Sequence, residues 1–173
     1  AIVAGVTAYS TLGHFDDPLL DTMLPFHDDD AASLWQHVER ALAVIAARRI
    51  ENTHLAAYGH GDWNDSLQPV DPSMRERLCS AWTVTLQHQT LRTLADGLRR
   101  AGRAERAPVL EATAARVRDE FQRLLIADGV LAGFTYFRAD GGVERLLHPS
   151  DMSTGIHFRL LPMIHAILAD LFT

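Results

Sequence analysis

The stretch Gly59-His60-Gly61-Asp62-Trp63-Asn64-Asp65-Ser66-Leu67-Gln68-Pro69 puts two carboxylates, an indole and an amide at four consecutive positions, with glycines before them and a proline after. No helix or central strand runs through such a frame, so the stretch reads as a shaped loop. Trp63 is large and apolar and draws the neighbouring backbone towards a sheltered cleft. Of two carboxyls beside it, one held against apolar surface has its pKa raised, while the other, better solvated or hydrogen-bonded, stays ionised. A general acid is made in that way. The alternative is an Asx-rich turn, in which Asp62, Asn64 and Asp65 bond to local backbone and Trp63 fills a core.

Gly61-Asp62-Trp63-Asn64-Asp65 resembles the active-site motif of the inverting disaccharide phosphorylases, the cellobiose and chitobiose phosphorylase family, glycoside hydrolase family 94, formerly glycosyltransferase family 36. Upstream, Tyr9-Ser10-Thr11-Leu12-Gly13 through Leu20 to Pro25-Phe26 looks like that family's helix, turn and Pro-Phe ending, although the turn reads Leu-Gly-His where the family has Thr-Gly-Asp. Downstream, Leu147-His148-Pro149-Ser150-Asp151 and Thr154-Gly155 to Leu160-Leu161-Pro162-Met163 resemble stretches of some branches. There are two further departures. Ser66 stands where a Gly commonly follows the motif, and the Gly-Glu-Ser-Val-Trp stretch reads Leu78-Cys79-Ser80-Ala81-Trp82, without its Glu. Sugar and linkage are left open by both.

The resemblance implies a mainly α fold, part of an (α/α)6 barrel whose active site lies in loops at one end. It implies an enzyme, a glycoside phosphorylase (a glycosyltransferase acting with phosphate) that carries out reversible inverting phosphorolysis of a β-linked disaccharide or β-glucan to an α-sugar 1-phosphate. Asp65 is then the catalytic acid. Inverting hydrolysis needs two carboxyls, an acid and a base that activates water, whereas phosphate is already an anionic nucleophile, so one acid suffices. Trp63 offers a flat apolar face to a sugar ring, Asp62 and Asn64 brace the loop or bond sugar hydroxyls, and His60 adjoins the motif. His148 is a further possible site residue. No cofactor is expected beyond inorganic phosphate as co-substrate, and the expected partners are a small carbohydrate and phosphate. A phosphate site needs several donors, and no Gly-rich cradle or Arg pair matching one is visible.

Two other readings stay open. An inverting hydrolase of the same fold would need a base such as Asp151 or Glu144 near the loop. A non-catalytic carbohydrate-binding helical module would keep the acid without a nucleophile site. A metal centre is not expected, because the nine histidines form no His-Glu-x-x-His or close Cys/His cluster.

Composition agrees with a small neutral ligand. Of the 173 residues 47% are hydrophobic and 22% charged, an ordinary globular balance with room for one core. The net charge of −6 argues against a nucleic-acid backbone or an anionic membrane as partner. A lone cysteine, Cys79, excludes an intrachain disulfide, and no apolar run reaches the ~18 residues of a membrane span. A cytoplasmic setting is expected. Ala1 leads straight into an apolar helical run and Leu171-Phe172-Thr173 follows another. The chain therefore reads as a single segment, 1–173, of a helical-barrel catalytic domain incomplete at both ends, completed by the rest of a parent polypeptide or by another chain.

Along the chain, a buried helix is expected over Ala1–Leu12, and a short one from Asp17-Pro18 that ends before Pro25. The acidic run Asp28-Asp29-Asp30 is expected to open a helix over Ala31–Arg49, with Trp35 in the core. A long loop over 52–72 follows, longer than structureless loops usually are. Helices are expected over Ser73–Arg100, including Trp82 in the core, and from Pro108 to about Ile126, the two forming an antiparallel hairpin. Phe134–Arg138 and Val143–Leu147 flank Asp140-Gly141-Gly142 and read as a β-hairpin. A last helix is expected over Thr154–Phe172, with Pro162 in its first turn or at a kink.

Overall fold

The structure is a computed structural model that describes residues 17–26, 30–59, 61, 68–69 and 71–172. In chain order its helices are α1 (Asp17–Leu20), α2 (Leu34–Ala47), α3 (Ala81–Arg100), α4 (Ala107–Glu120) and α5 (Leu160–Leu168). Its strands are β1 (Met23–Pro25), β2 (Ala31–Ser33), β3 (Leu78–Ser80), β4 (Ile126–Ala127), β5 (Val130–Leu131), β6 (Phe134–Phe137) and β7 (Val143–Leu146). Half of the structure is helix and 16% strand, so the mainly-α expectation holds. Among the described residues the strands form three small antiparallel sheets, where one hairpin was expected.

The chain divides into two compact units, one drawn from Ala1–Ala47 and Thr90–Ala114, the other from Arg48–Gln89 and Ala115–Thr173. In the first, β1 pairs with β2 in the register Met23↔Ser33, Leu24↔Ala32, Pro25↔Ala31. This corrects the expectation for the acidic run: Ala31–Ser33 is extended, and the helix begins at Leu34. Ser33 starts it. Its hydroxyl accepts from the Gln36 N–H (3.2 Å) while the Gln36 amide oxygen accepts from the Ser33 N–H (2.8 Å), a reciprocal capping box that satisfies two donors. The face turned inward carries Trp35, His37 and Val38, all buried. His37 lies 4.1 Å from the Phe26 ring centroid to centroid, with its Nε2 3.2 Å from the Leu24 carbonyl. Leu91, Leu94 and Leu98 of α3 and Leu110 of α4 are buried at helical spacing. The turn between the two helices brings Arg99 onto Glu111 in a two-pronged ion pair, and Arg103 onto Asp21 at 2.6 Å.

In the second unit the sheet order is β3-β6-β7. β3 lies inside the span expected to be helical from Ser73. A 3₁₀ turn over Pro72–Glu76 precedes it, begun by the Asp71 carboxylate on the Ser73 N–H (2.8 Å). All three β3 residues are buried, so no alternation marked them as a strand. Pairing Leu78↔Tyr136, Ser80↔Phe134 and Phe134↔Leu146 puts these side chains and Glu144 on one face of the sheet, and Cys79, Thr135 and Arg145 on the other. α4 passes through a π-helical turn over Phe121–Leu125 and ends in the β4–β5 hairpin. Asp128 (φ 50°) and Gly129 (φ 76°) both take the left-handed backbone that a two-residue hairpin turn requires. The β6–β7 hairpin falls where expected. α5 is shorter than expected, with Pro162 in its first turn, where the missing N–H breaks no helical bond. Its outer side carries Leu160, Ile164, Ile167 and Leu168 at i, i+4, i+7, i+8, all exposed, and Phe158 just before the helix is exposed too.

Ser33→Ala removes the cap of α2 and is expected to lower stability by about 1 kcal/mol, with Ser33→Thr retaining most of it. Urea unfolding of the two variants checks this, and an unchanged midpoint for Ser33→Ala would show that the helix starts elsewhere.

Candidate functional site

His60, Asp62, Trp63, Asn64 and Asp65 lie outside the described residues, whereas the chain that leads into and out of them is described. The way in is heavily braced. Arg49 and Ala56 form an antiparallel bridge, the Ile50 N–H donates to the Leu55 carbonyl (2.9 Å), and the Ala57 N–H donates to the Arg48 carbonyl (3.0 Å). Gln87, buried on α3, spans the turn with its amide: its oxygen accepts from the Ala56 N–H (3.0 Å) and its nitrogen donates to the His54 carbonyl (2.9 Å). Glu120 of α4 accepts from the His54 N–H (2.6 Å) and lies 2.9 Å from His54 Nδ1, while Arg116 reaches His54 Nε2 at 3.3 Å. With Arg116 donating, the ring proton sits on Nδ1 and points at the carboxylate.

From there the backbone joins the sheet. The Tyr58 N–H donates to the Leu78 carbonyl (2.6 Å) and the Gly59 N–H to the Arg75 carbonyl (3.0 Å). Gly59 (φ 60°) and Gly61 (φ 153°) hold backbone conformations that side chains disfavour, which explains glycine at both. The way out, Gln68-Pro69, forms one wall of a cleft of about 320 Å³ whose floor is Met74, Leu78, Phe134, Leu146 and Leu147. Entry and exit thus meet at Leu78. Tyr58 packs edge-on against Phe134 (6.0 Å between centroids) and belongs to the same apolar cluster. Glu144, Ser153 and Thr154 complete the cleft wall, with Ser153 Oγ 3.3 Å from a Glu144 carboxylate oxygen. An apolar floor with a few polar groups is the make-up of small-molecule sites.

Segment 147–154 supplies Ser153 and Thr154 of that wall, and two of the residues singled out in the sequence, Asp151 and His148, hold the segment in shape. Asp151, buried, accepts from the Leu147 N–H (2.7 Å), the Ser153 N–H (2.7 Å), the Thr154 N–H (3.0 Å) and the Thr154 hydroxyl (2.5 Å). Burial pushes its carboxyl up, but the Thr154 hydroxyl and the three N–H donors outweigh that, so its pKa lies below the ordinary carboxylate value. With its lone pairs so occupied, Asp151 is not free to serve as the base that the hydrolase reading sought. His148 is 1% exposed, with Nε2 3.1 Å from the Ala127 carbonyl and Nδ1 2.7 Å from Ser150 Oγ and 3.1 Å from the Ser150 N–H. Both ring nitrogens are engaged, so His148 braces the wall rather than facing the cleft. Leu147 sits at φ 55°, left-handed for a residue with a side chain, and its Cδ1 and Cβ close over Gly133 so tightly that any side chain there would collide. Glu144, the other candidate base, does stand at the cleft.

Trp35 is buried as expected, and Trp82 is half-buried, edge-on to His165 at 5.8 Å. Gln87, Glu120 and the cleft floor were not singled out from sequence. Among the described residues no group of three His, Cys, Asp or Glu side chains could hold a metal ion, and no helix is long and apolar enough to cross a membrane.

Comparison with known proteins gives two matches of unequal reach. Residues 1–45 match the family model described as "Putative aminopeptidase". Over 167 residues, 90% of this chain, the sequence is 32% identical to the 1,2-beta-oligoglucan phosphorylase of Listeria innocua serovar 6a. The chain spans 14% of the length of that relative. The first match stops before every residue of the cleft, whereas one covering 90% of the chain takes in both the 62–65 motif and the cleft.

Two outcomes follow from this geometry. Gln87→Leu strands the Ala56 N–H and the His54 carbonyl and is expected to destabilise the protein by about 1–3 kcal/mol, with hydrogen exchange at Ala56 accelerated more than at Leu94. Asp151→Asn loses acceptor capacity and is expected to destabilise by a similar amount near neutral pH. Because the Asp151 pKa is lowered by folding, its contribution is present above the unfolded carboxyl pKa of about 3.9 and is lost as pH falls through the lower folded value. The gap between wild type and variant should therefore narrow below about pH 4, and a constant gap in acid unfolding curves would contradict the assignment.

Proposed function

We propose that this chain forms part of an inverting phosphorolytic enzyme of glycoside hydrolase family 94 acting on β-linked glucans. The observation that carries the proposal is the 32% identity to a 1,2-beta-oligoglucan phosphorylase across 90% of the chain, which includes Gly61-Asp62-Trp63-Asn64-Asp65. The architecture proposed is part of an (α/α)6 barrel, with the remaining helices supplied by further polypeptide.

In this reading Asp65 is the general acid. It gives its proton to the glycosidic oxygen as that oxygen leaves, while phosphate attacks the anomeric carbon from the opposite face and the configuration inverts. In the synthetic direction the same carboxylate takes the proton of the acceptor hydroxyl. Gln68, three residues on from Asp65 in sequence, walls the cleft, which supports reading motif and cleft as parts of one site. Trp63 offers the sugar a stacking face, and Asp62, Asn64 and His60 offer groups for its hydroxyls. The apolar floor around Phe134 and Leu146 excludes water from the bond being broken. The Glu144 carboxylate at the cleft favours one second reading, hydrolysis with Glu144 as the base.

Incubating the full-length protein with β-linked gluco-oligosaccharides and inorganic phosphate tests the proposal, with α-glucose 1-phosphate as the expected product. Sugar release without phosphate consumption would instead support hydrolysis. Release of amino acids from an aminoacyl anilide, with no action on glucans, would overturn both and follow the match over residues 1–45. Asp65→Asn is expected to lower kcat by ~10²–10⁴-fold in both directions, and near-normal phosphorolysis by that variant would remove Asp65 from the role.

A further inference from the structure

His54 ties the approach to the motif to two helices, and all of the residues involved lie within the second unit. Its backbone is fully used: the N–H donates to Glu120 of α4 (2.6 Å) and the carbonyl accepts from Gln87 of α3 (2.9 Å). Its ring lies between opposite charges, with Nδ1 2.9 Å from a Glu120 carboxylate oxygen and Nε2 3.3 Å from the Arg116 guanidinium. Among the described residues these are the charged groups within hydrogen-bonding reach of the ring, both from α4, while the α3 side chain bonded to the same residue, Gln87, is uncharged. One carboxylate therefore takes both a backbone bond and a ring bond from a residue 66 positions away.

The two charged partners differ in what they do when the ring takes up a proton, as imidazoles do between about pH 5 and pH 8. In the neutral ring the Nδ1–H donates to Glu120 and Nε2 accepts from Arg116. Protonation puts a hydrogen on Nε2, so two donors of like charge face each other and the bond to Arg116 is lost. Arg116 is exposed and turns into water at little cost. The Glu120 side chain is 14% exposed and cannot turn away without stranding the His54 N–H, and its charge is the one that suits an imidazolium. The bonds that hold the His54 backbone thus survive either charge state of the ring, provided that residue 120 is a carboxylate.

We infer that Glu120 is a positioning residue whose charge keeps the approach to the cleft in place when His54 is protonated. The inference rests on the reading of the chain as acting on β-linked glucans only for its kinetic readout. The path to the cleft runs through described residues. The Ala56 N–H, two residues on, shares Gln87 with His54, and Tyr58 bonds to Leu78 and packs on Phe134, both of the cleft floor. In Glu120→Gln the amide oxygen accepts from one of the two N–H groups while the amide NH2 meets the other, and Arg116 is then the charge facing the ring. The folded state of that variant holds a proton on His54 less well than the unfolded chain does, so its stability and the bonds of the approach are lost as pH falls.

The test measures kcat/KM on a β-linked gluco-oligosaccharide with phosphate, from about pH 8 to about pH 5, in full-length wild type, Glu120→Gln and Glu120→Asp. Each variant is expressed as a ratio to wild type at the same pH, so that the titration of groups common to both, Asp65 included, cancels. The ratio for Glu120→Gln is expected to fall by about ten- to hundredfold towards the acid end, the loss of one hydrogen bond to a charged group. Glu120→Asp keeps the charge, and its ratio should be lower than one but independent of pH. Adding His54→Asn to Glu120→Gln removes the titrating ring and should remove the acid fall. A ratio for Glu120→Gln that is constant with pH is what a merely structural role gives and would overturn the inference, as would an equal acid fall in Glu120→Asp or one that persists in the double variant. Should the wild type act on no glucan at all, the reading of its activity fails separately. Hydrogen exchange at Ala56 then decides, and protection in Glu120→Gln that follows wild type at every pH would overturn the role of Glu120.

Discussion

Withdrawing the Asp151 carboxylate from water would be prohibitive if it were left bare. Its four donors come from residues 147, 153 and 154, so a single anion closes the segment on itself. Much follows from that closure. It holds Leu147 in a left-handed conformation over Gly133, sets Thr154 and Ser153 on the cleft wall, and leaves His148 to pin the other edge to the β4–β5 hairpin. Charge-assisted bonds are stronger than neutral ones, and concentrating them at one carboxylate lets an irregular segment keep one shape beside a sheet.

The long loop is handled by a different device. Its approach is irregular, yet the backbone groups of His54, Ala56, Tyr58 and Gly59 have partners drawn from far along the chain: Gln87 on one helix, Glu120 on another, and Leu78 and Arg75. Rigidity is thus imposed on the described approach, residues 48–59, from elements outside it.

These two devices differ in how readable they are. An Asp followed by Ser and Thr two and three residues later is a local pattern, and the Asp151 turn is within reach of sequence reasoning, although nothing local said that it would be buried. The partners of His54 lie 33 and 66 residues away, and no periodicity connects them. The β6–β7 hairpin was legible because aromatic and β-branched residues flank Asp140-Gly141-Gly142. The equally plain Asp128-Gly129 turn was hidden, since Leu124, Leu125 and Ile126 continue the apolar spacing of the preceding helix. β3 was hidden for the opposite reason, being buried on both faces and carrying no alternation. The cap of α2 went to Ser33 rather than the acidic run, because extended residues 31–33 are needed to pair with β1 before the helix can start.

The outward row of Leu160, Ile164, Ile167 and Leu168 gives the molecule a colloidal character that its composition conceals. A net charge of −6 keeps copies apart at low ionic strength, but that repulsion reaches only about 8 Å in physiological salt and about 3 Å at molar salt. Attraction between aliphatic rows is not screened, and excluded salts such as sulfate strengthen it. For this segment by itself, the balance between dispersed and clustered molecules is therefore expected to shift with the salt in the buffer.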